Sequence, residues 1–287
     1  MRARSMVLLA LFAVASPAVA EGEAPADLPD LASEWTLRMG LRMGGGYASY
    51  TETLSQLETE NDSGAFEVRY EFEGNFAGLS PYLRCNFTLA GGDEEADLPN
   101  GSRQEQDLSW LTLLFDLGLG YRIPLGETVT LVPALGYTLD HMVFEREEFQ
   151  IDGVGVTVLD LNGRPQSTIG EAISSNGLSA RLGVEVRPVP RLDLRVYAVY
   201  TWLPDTRVDN DLGGTVSSEG QLVRGGFAVY VWLHRRVGFG GEVEVLLRDL
   251  DKSTVKIRSG SARTASIQFP NSESLAVVMT LGVVVGF

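Results

Sequence analysis

The sequence predicts an all-β protein, a transmembrane antiparallel up-and-down β-barrel of about ten strands. Three observations carry this. Apolar and polar residues alternate with period two through most of the chain, which puts them on opposite faces of strands. The connections between the alternating runs are by turns long and short. The last stretch, Ser272 to Phe287, has one uninterrupted apolar parity long enough to cross a bilayer as a tilted strand.

In that stretch, counting in twos from Phe287 gives Val285, Val283, Leu281, Met279, Val277 and Leu275. The other parity holds Gly286, Val284, Gly282, Thr280, Val278 and Ala276, which are smaller. As a helix the apolar run is too short, because a helical span needs about twenty residues. Gly282, Gly286 and the valines are also poor helix formers. Composition agrees. Hydrophobic residues make up 44% of the 287 and mean hydropathy is only +0.04, as expected when strands offer lipid every second residue. A single cysteine excludes an internal disulfide, and two histidines leave little scope for imidazole chemistry. No cofactor or metal is expected, and a net charge of −15 gives no reason to expect a nucleic-acid partner.

Met1 to Ala20 reads as a secretory signal peptide. Arg2 and Arg4 form the basic region, Met6 to Ala15 the apolar one, and Ala18-Val19-Ala20 the cleavage site. Residues 21–34 are acidic and Pro-rich, a flexible lead-in, and residues 35–287 form the barrel. Strand one puts Trp35, Leu37, Met39, Leu41 and Met43 opposite Arg38, Gly40 and Arg42, with a bend or bulge expected at Gly44 to Gly46. Strand two sets Phe66, Val68, Tyr70 and Phe72 against Glu67, Arg69, Glu71 and Glu73. Strand three, Leu79 to Ala90, sets Leu83, Cys85, Phe87 and Leu89 against Tyr82, Arg84, Asn86 and Thr88.

Strand four runs from Leu108 to Ile123 with Asp116 on its polar side, and strand five from Thr128 to Phe144 with Asp140. Strand six, from Leu178, carries Arg181, Glu185 and Arg187 opposite Leu182, Val184 and Val186. Strand seven carries Asp193, Arg195 and Tyr197 opposite Leu194, Val196 and Ala198. Strand eight, Gln221 to Leu233, is ambiguous in parity because Gly225-Gly226 offers a bulge that would swap its faces. Strand nine, Val237 to Leu247, sets Phe239, Val243 and Val245 against Glu242, Glu244 and Arg248. Long loops are expected over Thr51–Ser63, Gly91–Asp107, Glu145–Asn176, Pro204–Gly220 and Asp249–Asn271.

Charges are costly on a lipid face. The charged parity therefore faces the lumen: Arg38, Arg42, Glu67, Arg69, Glu71, Glu73, Arg84, Asp116, Asp140, Arg181, Glu185, Arg187, Arg195, Glu242, Glu244 and Arg248. Ten strands enclose little more room than eight, whose interior side chains fill. Interleaved Arg and Glu are expected to plug it. A narrow porin-like channel is the alternative. Four of the five long loops are acidic, which suits a solvated outer surface or divalent-cation bridging. The Asp209-Asn210-Asp211-Leu212-Gly213 run lacks the spacing and final Glu of a calcium loop.

A terminal Phe after apolar residues at every second position, with ten strands and alternating connections, resembles the bacterial outer-membrane β-barrel proteins. The resemblance implies a place in the outer membrane among lipid and lipopolysaccharide. It also implies that the barrel-assembly machinery reads Phe287, Val285, Val283, Leu281 and Met279. In size and strand number the chain is similar to the omptin proteases, a family that works with an Asp-Asp and an Asp-His pair. Here Asp140 and His141 are adjacent and so on opposite faces, His234 falls in a short turn, and neither histidine has an evident Ser partner of the kind lipid A hydrolases need. The expected role is non-enzymatic, in envelope structure or surface interaction. An omptin-like or lipid-modifying enzyme is the further alternative.

Overall fold

The computed structural model describes residues 37–54, 57–159, 163–211, 214–234, 236–258 and 264–287. The segments expected to be signal peptide and lead-in, and Trp35, lie outside them. Ten long strands run in chain order: β1 Leu37–Leu54, β2 Leu57–Gly74, β3 Leu79–Asp97, β4 Arg103–Tyr121, β5 Val129–Ile151, β6 Ile169–Val189, β7 Leu192–Asn210, β8 Gly214–Trp232, β9 Val237–Leu250 and β10 Asn271–Gly286. Each pairs antiparallel with its sequence neighbours, and β10 pairs with β1, so the ladder closes. Closure leaves no edge to satisfy, which a membrane-spanning sheet requires. Phe287 donates its N–H to the Leu37 carbonyl at 2.8 Å at the seam.

The chain's alternation sets what faces out. Leu41, Met43, Phe87, Leu117, Leu135, Leu182, Val196, Phe227, Phe239, Met279, Leu281 and Val283 are all exposed and form one apolar band around the barrel. Tyr47, Tyr137, Tyr200 and Trp202 stand at its outer edge, and Phe76, Tyr121 and Phe287 at the other, as the aromatic girdles of membrane barrels do. Cys85 shares the outward parity of Leu83 and Phe87 and is half-buried.

Two expectations need correction, and one open question is settled. The long loops are mostly strand. β1 and β2 run to Leu54 and from Leu57, β3 to Asp97, β5 to Ile151, and β7 to Asn210, well beyond the apolar band. The cause is that loss of apolar alternation marks the end of the lipid, not the end of the ladder. Water-exposed strands keep their backbone pairing with polar side chains outside. The Gly44–Gly46 bulge is absent, since β1 keeps unbroken register with both neighbours there. These glycines serve close approach instead: a Cβ on Gly44 would lie 1.8 Å from the Met279 carbonyl oxygen, and one on Gly46 1.9 Å from that of Val277. Register is also unbroken through Gly225-Gly226, so the faces of β8 do not swap, and Arg224, Ala228 and Tyr230 point inward.

Candidate functional site: the filled lumen

The lumen is layered along the barrel axis. At the short-turn end, Arg38 and Arg195 both donate to Glu73 Oε2 at 2.5 Å, and Arg195 reaches Glu185 at 2.7 Å. Arg122, in the turn after β4, also binds Glu185, and Arg187 pairs with Asp193 at 2.9 Å. Tyr230 and Trp232 pack with Ala228 and Val284 around them. Trp232 donates its indole N–H to Asp193 at 3.0 Å.

The next layer is the densest. Glu242 and Glu244 of β9 cross the lumen to Arg69 and Arg84: Arg84 lies 2.5 Å from Glu244 and 3.1 Å from Glu242, and Arg69 3.0 Å from Glu244. Arg42 bridges Glu71 at 2.5 Å and Glu242 at 2.7 Å, while Arg69 also pairs with Glu67 and Glu242. The Tyr197 hydroxyl lies among them, bonded to both β9 carboxylates, and Gly226 leaves the space its ring occupies. Arg42, Arg69, Glu242 and Glu244 are nearly inaccessible to water. Among the described residues no carboxylate pairs closely with Arg181; its guanidinium lies 5.1 and 4.9 Å from the ring centroids of Tyr82 and Tyr197, within cation–π reach. Farther out, Arg224 pairs with Asp116 at 2.5 Å, and Arg248 grips both oxygens of Asp140 at 2.6 Å.

Above these charges the interior turns apolar. Tyr50, Leu108, Trp110, Leu114, Met142, Phe144, Ile173, Leu203 and Leu222 are buried there and touch one another. Interleaved Arg and Glu were the expected plug, and this apolar layer adds a second one. The signal was legible in Leu108 to Phe115, where both parities are largely apolar, the pattern of a strand buried on both faces. A last inward group, Glu52, Glu94, Arg146 and Glu171, caps this layer. The cavities lined by Glu73, Arg181 and Tyr197, and by Thr112, Arg248 and Ser274, have room for about two water molecules each.

Of the charges assigned to the lumen from sequence, Arg38, Arg42, Glu67, Arg69, Glu73, Arg84, Asp116, Asp140, Arg195, Glu242, Glu244 and Arg248 are buried, and Glu71, Arg181, Glu185 and Arg187 are half-buried. Sequence reasoning missed Arg122, Asp193 and Arg224 as network members, and missed Glu52, Glu94, Arg146 and Glu171. Arg224 was hidden by the uncertain parity of β8; the other four lie in segments expected to be loops. Val283, Leu281, Met279 and Phe287 are exposed on the lipid side, with Val285 half-buried beside them. His141 corrects one further expectation. It lies on the outer face beside Ser174, its cross-strand partner, with Nδ1 2.9 Å from the Ser174 hydroxyl. Among the described residues no carboxylate hydrogen-bonds the imidazole.

The family model described as outer membrane protein beta-barrel domain matches residues 6–220. Among solved structures the chain is similar to the outer membrane protease OmpT from Escherichia coli, at 10% identity and a TM-score of 0.60, over 88% of this chain and 96% of that one. It is also similar to the translocator domain of the autotransporter NalP from Neisseria meningitidis, at 10% identity and a TM-score of 0.38, over 88% of each chain. No curated protein matches the sequence. At such identities the likeness to OmpT is one of fold. With the family model spanning most of the chain, and ten antiparallel strands closed behind a lipid-facing apolar band, the chain belongs to the outer membrane protein beta-barrel domain family and resides in the bacterial outer membrane.

Proposed function

We propose that the protein is a closed, non-enzymatic barrel that works through its outer surface, in envelope structure and surface interaction. The observation that carries this is the interior. Ion pairs fill its inner half, aromatic and aliphatic side chains its outer half, and the cavities between them have room for about two waters each. Such a lumen offers a solute neither a path nor a catalytic cleft. Recording from the purified protein in a planar bilayer tests the reading. A flat trace with no discrete steps is expected, and regular conductance steps would establish the porin-like alternative.

The outer surface supports the second half of the reading. Beyond the lipid band, like charges stand directly opposite one another across several strands: Glu60 opposite Glu95 opposite Glu105, and Asp93 opposite Asp107 opposite Glu147. Cross-strand like charges destabilise a sheet. Arg103 relieves part of this by pairing with Glu95 and Glu105. Among the described residues no three acidic, His or Cys groups converge tightly enough to enclose a metal. Divalent cations would therefore bridge this wall to anionic groups of neighbouring molecules, lipopolysaccharide phosphates being the available ones. Millimolar calcium should then raise the unfolding temperature more in lipopolysaccharide-containing membranes than in phospholipid alone. Equal shifts in both would remove the lipid partner from the account.

A further inference from the structure

The outer half of the barrel is pinched. Tyr50 of β1 lies against Phe144 of β5 with ring centroids 4.6 Å apart, and Trp110 of β4 sits 6.1 Å from both. β1 stands opposite β5 and β6 in the closed ladder, so this contact spans the lumen. Just outside it, two carboxylates share one guanidinium. Arg146 Nη2 donates to Glu52 at 2.9 Å and Nε to Glu94 at 2.7 Å. Gln106 adds a donor to Glu94, and the Tyr50 hydroxyl one to Glu52 at 2.7 Å.

Glu171 of β6 is the carboxylate left over. Asn210 donates to its Oε2 at 2.9 Å, but among the described residues its buried Oε1 has no hydrogen-bond partner, and the residue is 7% exposed. It lies well beyond Leu178, the outermost lipid-facing apolar residue of its strand. A buried carboxylate oxygen without a donor is expensive as an anion and far less so once the group is neutral. The groups that face it are Glu52 and Tyr50 from β1, Glu94 from β3, Arg146 from β5 and the neutral Asn210 from β7. Burial and then the Glu52 charge push the Glu171 carboxyl up to about 7, against the pull of Arg146 and Asn210.

We propose that Glu171 is a proton-operated latch on the outer end of the barrel: neutral, it lets the β6 wall close onto β1; ionised, it drives that wall away from Glu52. Closure is complete in acid and lost as pH rises through neutrality. The ion-pair layers beneath are unaffected, so the lumen stays sealed while its outer vestibule opens.

Distances between spin labels test this on the full chain in bilayers. In a Cys85→Ser background, Thr53→Cys on β1 and Ser174→Cys on β6 place labels on the outer faces of the two walls. The distance distribution should be short at about pH 5.5 and move to longer values by about pH 8.5, with a midpoint near 7. Glu171→Gln should stay short at both, and Glu52→Gln should shift the midpoint to lower pH. A parent distribution that does not change with pH overturns the proposal. So does widening that persists in Glu171→Gln, or a midpoint indifferent to Glu52→Gln. The parent titration alone decides the matter if either variant fails to fold.

Discussion

Replacing Arg248 with methionine isolates one buried charge, and the structure says what that should cost. Arg248 is 4% exposed and holds both Asp140 oxygens at 2.6 Å, with a further bond from Nη1 to Ser274 at 3.0 Å. Asp140 is itself 2% exposed, and its register neighbours are Leu114 and Ser175, neither a cation. Arg248→Met thus leaves an uncompensated carboxylate under the apolar layer. Breaking a buried pair from one side costs about 3–5 kcal/mol, because the remaining charge keeps its desolvation penalty. Removing both charges in Arg248→Met with Asp140→Leu should recover most of that loss, since apolar replacements of similar volume are often neutral. Urea unfolding in lipid vesicles, followed by the heat-dependent gel mobility of the folded barrel, gives all four free energies of the cycle. A single-variant loss within about 0.5 kcal/mol, the range of ordinary surface substitutions, would refute the reasoning. It would mean that water reaches Asp140 and that the lumen is not dry at this level, which would also weaken the closed-barrel reading.

The Glu171 carboxyl, raised from 4.5 to about 7, binds its proton more tightly in the folded chain. Its contribution is full below about pH 4.5 and falls by about 3 kcal/mol as pH climbs through 7, so the parent's stability relative to Glu171→Gln should decline across that window and level off above it. A difference independent of pH would exclude the raised carboxyl. A small apolar maleimide should label Cys85 in membranes while a charged, impermeant one does not; equal labelling by both would place its side chain in water. Protease added to intact cells should cut at the exposed Pro99–Gly101 turn or at Gly163–Arg164, and not at Pro124–Glu127 or Pro188–Arg191. Cleavage confined to the latter pair would invert the barrel.

The sequence made the lipid-facing half of each strand readable because that surface obeys one rule: a charge there is costly, so alternation is clean. Arg38, Arg69 and Glu242 could be placed inward for the same reason. What alternation could not reveal was the extent of the strands outside the bilayer. Glu52, Glu94 and Glu171 sit on ladders whose outer faces are also polar, so period two vanishes although the hydrogen bonding continues. The apolar layer was obscured by the opposite effect. Around Trp110 and Leu114 both parities are apolar, and only the closed fold shows which of the two meets lipid.

The two halves of the interior do different physical work. Below, Arg69 and Arg84 reach across to β9, and Arg195 of β7 meets Glu73 of β2, so each ion pair fixes one strand's register against a distant one. A slip of one residue would turn these charges toward lipid, an error of several kcal/mol for each. Above, Tyr50 and Phe144 fill space without fixing partners, and the walls there are joined by packing and by the carboxylates around Arg146. Specificity is concentrated where the barrel is wrapped in lipid, and compliance where it meets water. A change of protonation at Glu171 can therefore move the outer walls without unsealing the barrel, because among the described residues the ion-pair layers below share no hydrogen bond with Glu52, Glu94 or Glu171.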